Sequence, residues 1–154
     1  MINAYGILKF LHTLSVIVWM GGVTSLSVVT WRLRGERNRE ILAALLRQAT
    51  SFGQTIAGPA SLIVLVSGLA MVGTAHIGFS TFWVLWGFGG ILLHFLIGAI
   101  VLRKRTMKLA QLASANSGND VALAAAARRL WTTQLIYLAV LASVVGAMVL
   151  KPTL

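Results

Sequence analysis

The chain has no cysteine, only two prolines and only three acidic residues in 154 positions. Without cysteine there is no disulfide, no iron–sulfur cluster, no thiolate haem ligation and no cysteine nucleophile. The three carboxylates, Glu36, Glu40 and Asp120, all fall outside the long apolar runs. No membrane-embedded carboxylate is therefore on hand for a proton relay or a hard metal ion, which disfavours a hydrolase and a conventional ion-coupled transporter. Charged residues make up 10% of the chain and hydrophobic ones 58%, against about 25% charged in an average soluble protein. That balance is the composition of an integral membrane protein.

Four runs approach or exceed the roughly 20 residues that cross a bilayer as helix: about 5–31, 56–75, 82–102 and 130–150. The expected fold is all-α, a polytopic bundle of four transmembrane helices forming one domain over 1–154. The first run has no basic residue before it and is too long for a cleavable signal core, so it is expected to stay as a helix. Between the first two runs, Glu36 to Phe52 reads as an amphipathic helix, lying on the membrane surface or extending the second helix. Gly53, Gly58 and Pro59 then predict a bend. The third helix is expected to continue through RKRTMKLAQLASAN, with SGND as a turn and cap before the last helix.

The net charge of +10 is unevenly placed. Arg32 to Gln48 carries a net +3 and Arg103 to Arg129 a net +5, while the short connection from Thr74 to Thr81 has no Lys or Arg. By the positive-inside rule the two basic loops are cytoplasmic and both termini lie outside. The same charges meet anionic lipid headgroups, so no nucleic-acid partner is needed to explain them.

An ionisable side chain inside an apolar run is costly and marks a candidate site. His12 stands in LKFLHTLSVIVWMGG and His94 in GGILLHFLIGAIV, and His76 sits beside the short connection. Each has two readings. His12 either bonds a backbone carbonyl or a serine on a neighbouring helix, or it holds a cofactor; His94 divides in the same way, and His76 is either interfacial or a second ligand. At about 1.5 Å per residue His94 is the more deeply placed, whereas His76 is level with His12 counted from the other membrane face. Lys9, one turn from His12, is an interface anchor or a partner for a carboxylate such as a haem propionate. Trp19 shares the His12 face and either fills the core or walls a macrocycle. Gly87, Gly90 and Gly98 share a face with His94, where small residues serve close helix packing or leave a slot for a flat ring. Met20, Met71 and Met148 are not closely spaced with histidine, so core packing is the reading for them rather than soft copper ligation.

Leu11, His12, Trp19, Gly21 and Gly22 resemble the opening helix of the small bacterial membrane proteins related to CopD and HemJ, with His94 adding to the likeness. The rest of the chain resembles them in its four helices and charge layout. SLSVVTWRLRGE stands where HemJ-like proteins have an arginine- and tyrosine-rich continuation, which favours an uncharacterised relative. The resemblance implies a bacterial cytoplasmic membrane, with haem b and porphyrinogen oxidation on the HemJ side and copper uptake on the CopD side.

The leading expectation is a haem b-binding membrane protein, iron held by His12 with His94 or His76, moving electrons to a redox partner or a lipid-soluble substrate. Any catalysis would be that of a haem-dependent oxidoreductase. The alternatives are a copper or small-ligand transport component and a cofactor-free accessory subunit of a membrane complex. Glycine-lined faces also suggest a homodimer.

Overall fold

The computed structural model describes residues 3–76, 78–115 and 120–151. The described chain is helical throughout, with no strand. It forms four rods, Ala4–Gly35, Arg39–Thr74, Phe82–Ser114 and Asp120–Leu150, each long and apolar enough to cross a membrane. With 31 to 36 residues apiece they are roughly 50 Å long, well beyond the hydrocarbon thickness of about 30 Å. The surplus lies at the end that carries the arginines.

The first rod is α1 (Ala4–Arg32), closed by a single 3-10 turn. The second joins α2 (Arg39–Phe52) to α3 (Gly58–Thr74) through a π-helical turn at Gly53–Ala57. The third joins α4 (Phe82–Leu96) to α5 (Arg103–Ser114) through a second π-helical turn at Ile97–Leu102. The fourth is α6 (Asp120–Leu150) alone. Side-chain caps start the first two rods: Asn3 accepts from the Gly6 amide at 2.7 Å, and Asn38 accepts from the amides of Glu40 and Ile41 at 3.0 and 3.2 Å. Such oxygens satisfy amides that have no partner within the helix.

The structure bears on three expectations. The amphipathic segment does not lie flat; α2 extends the second rod, burying Leu42, Ala43 and Leu46 against Leu109, Ala110 and Ala113 of α5. The expected bend at Gly53, Gly58 and Pro59 is a wide turn in an unbroken rod, in which the Gly58 amide bonds the Gly53 carbonyl five residues back. Pro59 explains it, since its ring removes one donor and crowds the carbonyl four residues earlier, and a π turn relieves both. The last helix begins at Asp120, within the SGND expected to cap it, and runs unbroken through the apolar run at 130–150. The turn expected at 116–119 lies outside the described residues.

The bundle is inverted relative to a water-soluble protein. Its surface carries Phe10, Ile17, Leu62, Val66, Leu92 and Leu135, all largely exposed, while Ser15, Ser27, Ser61, Ser67, Thr106, Thr133 and Gln134 are buried. Most of these inner hydroxyls donate back to their own helix, as Ser27 does to the Val23 carbonyl at 2.9 Å and Thr106 to the Leu102 carbonyl at 2.9 Å. Polar groups that close their own bonds can sit where helices meet in lipid. This is the arrangement a bilayer demands.

Helices pair as α1 with α3, α4 with α6, and α2 with α5, and the first two pairs touch each other more sparingly. Glycine sets the α4–α6 approach. A Cβ at Gly87 would collide with the Met148 side chain, and one at Gly90 with Val144. Between the pairs, Gln134 of α6 donates to Thr30 of α1 at 2.6 Å, and Arg105 of α5 donates to the Arg129 carbonyl at 2.8 Å and to the Thr133 hydroxyl of α6. What the pairs leave between them is a cavity.

Candidate functional site

The cavity has a volume of about 300 Å³ and lies in the half of the bundle nearer the arginine-rich end. Its wall is built from all four rods: Trp19, Val23, Ser27 and Thr30 from α1, the first π turn with Gly58 and Ser61, His94 with Gly98 and Leu102, and Gln134 with Tyr137 from α6. Arg103, Gln54, Phe95 and Ala99 border it and are themselves exposed, so it opens sideways between the second and third rods. Both π turns lie on the cavity wall. π turns inside helices frequently accompany functional sites, because the extra residue pushes backbone and side chains outward.

His94 is the centre of the site. It is 1% exposed. Its ring stacks on Tyr137, centroids 3.6 Å apart with 22° between the planes, and meets Trp19 edge-on at 4.7 Å and 86°. Two aromatic rings thus fix the imidazole plane, yet neither Nδ1 nor Nε2 has a hydrogen-bond partner among the described residues. Gln134 is similarly half-used: its Nε2 serves Thr30, and its Oε1 is buried without a partner. Leaving such a group unpaired costs roughly 1–3 kcal/mol. Both of these residues line the cavity.

At the open end the Gln54 amide lies against the Arg103 guanidinium; with its oxygen assigned to the side facing the cation, it stands 3.0, 3.1 and 3.2 Å from Nε, Nη1 and Nη2. Arg103 has no carboxylate partner among the described residues, whose single ion pair joins Arg39 to Asp120.

Of the residues singled out from sequence, His94, Trp19 and Gly98 come together here. A Cβ on Gly98 would stand 2.7 Å from the Tyr137 hydroxyl, so glycine keeps this wall flat. The others lie elsewhere. Gly90 packs against α6 at Val144. The His12 Nδ1 lies 3.0 Å from the Ser67 hydroxyl and 3.1 Å from the Val64 carbonyl, both on α3, and it borders Gly68 rather than the cavity. Lys9 is exposed near the opposite end of α1. His76 is exposed too, with φ of 52°, one residue past the α3 cap. A left-handed residue there ends a helix, and histidine adopts it more readily than most.

Among the described residues no group of three or more His, Asp or Glu side chains is arranged to hold a metal ion. Gln134, Tyr137 and Arg103 were not anticipated as site residues. Gln134 carried a signal, an uncharged but strongly polar side chain in an apolar run.

A family model described as a predicted integral membrane protein, DUF2269, matches residues 6–152. The chain belongs to the DUF2269 family. The match spans all four rods, so the family is one of multi-pass membrane proteins, and the cavity lies wholly within the matched region. No curated protein and no solved structure matches the chain.

Proposed function

We propose that this DUF2269 protein binds haem b in the cavity beside His94 and serves a redox role in the membrane, in keeping with the CopD- and HemJ-like character of its first helix. The observation that supports this reading is the unpartnered, fully buried His94 imidazole on the cavity wall. A neutral imidazole nitrogen is the strongest haem ligand available to a chain without cysteine. Held between Tyr137 and Trp19, the ring is oriented before any ligand arrives.

The donor set and the lining fit such a group. Gly53, Gly58, Gly98 and Ser61 present little bulk to a flat ring, Trp19 and Phe95 offer apolar contact, and Arg103 supplies positive charge at the open end. The enclosed volume is at the lower limit for ligand pockets, so a macrocycle would extend into the lateral opening. Bound haem supplies one-electron transfer; the protein contributes the ligand, the apolar surroundings that set its potential, and a side opening facing lipid through which a lipid-soluble partner approaches. His12 takes a packing role in this reading because it does not line the cavity; its Nδ1 is bonded to α3.

The copper alternative has less behind it. Met20 is exposed on α1 and Met148 is the neighbour of Gly87, with neither on the cavity wall.

The test is the absorption spectrum of protein purified from cells supplied with haem precursors. The wild type is expected to show a Soret band and reduced α and β bands; His94→Ala is expected to lose them, while His12→Ala and His76→Ala keep them. A colourless wild type ends the haem reading. A coloured His94→Ala variant with an unchanged spectrum moves the ligand elsewhere.

A further inference from the structure

Resting on the haem reading, we infer that Arg103 is the carboxylate-binding residue of the cavity, so that the site selects a flat aromatic ligand bearing an acidic group over its neutral counterpart. Three observations carry this. First, Arg103 borders the same cavity as His94 although nine residues separate them. On an uninterrupted α-helix nine residues are about two and a half turns, which would set the two side chains on opposite faces. The π turn at Ile97–Leu102 lies between them and, being wider than an α turn, takes back roughly 100° of rotation, which brings both toward the cavity. The irregular backbone thus has a specific effect, the alignment of a cation with a buried imidazole.

Second, the guanidinium is held but not neutralised. Gln54, from the facing π turn, accepts from it through a neutral oxygen, and no carboxylate reaches it among the described residues. A neutral acceptor orients an arginine while leaving its charge for something else. Arginine pairs with a carboxylate through two parallel N–H bonds, a geometry lysine does not reproduce.

Third, the spacing suits one elongated ligand. His94 and Arg103 are roughly 13 Å apart along the rod, with His94 fully buried and Arg103 exposed at the open end. Lys9, the other cation considered for such a role, is on α1 away from this cavity.

An arginine at this depth also suits a lipid phosphate, and the two sources separate experimentally. Purified full-length protein in detergent is titrated with haemin and with haemin dimethyl ester, following the Soret band, for wild type, Arg103→Gln and Arg103→Lys. Micelle partitioning affects all three proteins alike, so the ratio of the two Kd values is the readout. The wild type is expected to prefer the free acid by about tenfold, Arg103→Gln to bring the ratio close to one by weakening haemin alone, and Arg103→Lys to restore part of the preference. Equal binding of acid and ester by the wild type, or a preference that survives in Arg103→Gln, overturns the inference and assigns Arg103 to lipid headgroups, with His94 ligation intact. Binding of neither porphyrin overturns the haem reading together with it.

Discussion

The imidazole of His94 lies face to face with the phenol ring of Tyr137, 3.6 Å between centroids, across the α4–α6 seam. The contact explains how a histidine with two unsatisfied nitrogens is tolerated there. Tyr137 covers one face of the ring and Trp19 meets it at a right angle, while both nitrogens are buried without a partner among the described residues. Tyr137→Ala is expected to destabilise the bundle by about 3 kcal/mol through the lost ring and the space it leaves, and to free the imidazole to rotate. Tyr137→Phe preserves the stack and is expected to stay within about 1 kcal/mol of the wild type. Thermal unfolding in detergent, read by circular dichroism, distinguishes them.

Glycines on the same helix differ sharply in what a methyl group would meet. At Gly90 a Cβ runs into Val144, whereas at Gly89 nothing lies within 4 Å. Gly90→Ala therefore forces α4 and α6 apart and is expected to cost about 1–3 kcal/mol. Gly89→Ala is expected to be neutral or to stabilise by up to about 1 kcal/mol, since alanine is the better helix former. Equal behaviour of the two variants on unfolding would show that the α4–α6 seam is not where the structure places it.

His12 is tied to α3 at Ser67 and Val64, and hydrogen bonds between membrane helices average about 0.6 kcal/mol. Loss of the imidazole also removes packing at Gly68. His12→Ala is expected to lower stability by roughly 1–2 kcal/mol. Ser67→Ala is expected to produce much of the same loss, and the double variant to add little to it, which a double-mutant cycle on unfolding free energies measures. Additive losses would mean the two side chains do not interact.

How much of this was legible beforehand follows from helical periodicity. Four residues separate His94 from Gly98, and seven separate His12 from Trp19, so regular α spacing correctly groups each pair on a face. The same rule cannot place Arg103, because a π turn alters the phase between positions 97 and 102, and no residue pattern in IGAIVL announces it. At the first π turn Pro59 did announce an irregularity, read as a bend. Attention to ionisable groups favoured His12, whose nitrogen finds partners on α3, over Gln134, whose carbonyl finds none among the described residues. Which polar group lacks a partner is a property of the packed bundle, and a sequence does not state it.

Asp120 pairs with Arg39 across the arginine-rich end, but its side chain is 81% exposed. Exposed pairs of this kind contribute about 0–1 kcal/mol, and Asp120 also sits in the first turn of α6, where a negative charge favours the helix N-terminus by a similar amount. Asp120→Asn is expected to lower stability by no more than about 1 kcal/mol, with the difference shrinking as salt is raised from low to physiological strength. A loss that is large or indifferent to salt would show that the pair is shielded from solvent.

The absence of cysteine makes the orientation of the bundle directly testable. Eleven of the thirteen Lys and Arg residues lie between Arg32 and Arg129, in the two long connections and the helices flanking them, and the structure gathers α2 and α5 at that end. Ala75 and Ala115 are exposed at opposite ends of the bundle, and a single cysteine at either position is the only thiol in its variant. Cells expressing Ala75→Cys are expected to react with a membrane-impermeant maleimide while intact, and those expressing Ala115→Cys only after permeabilisation, because basic segments are retained on the cytoplasmic side. The reverse pattern would turn the molecule over in the membrane. It would also move the lateral opening of the cavity, which lies toward the basic end, to the outer leaflet.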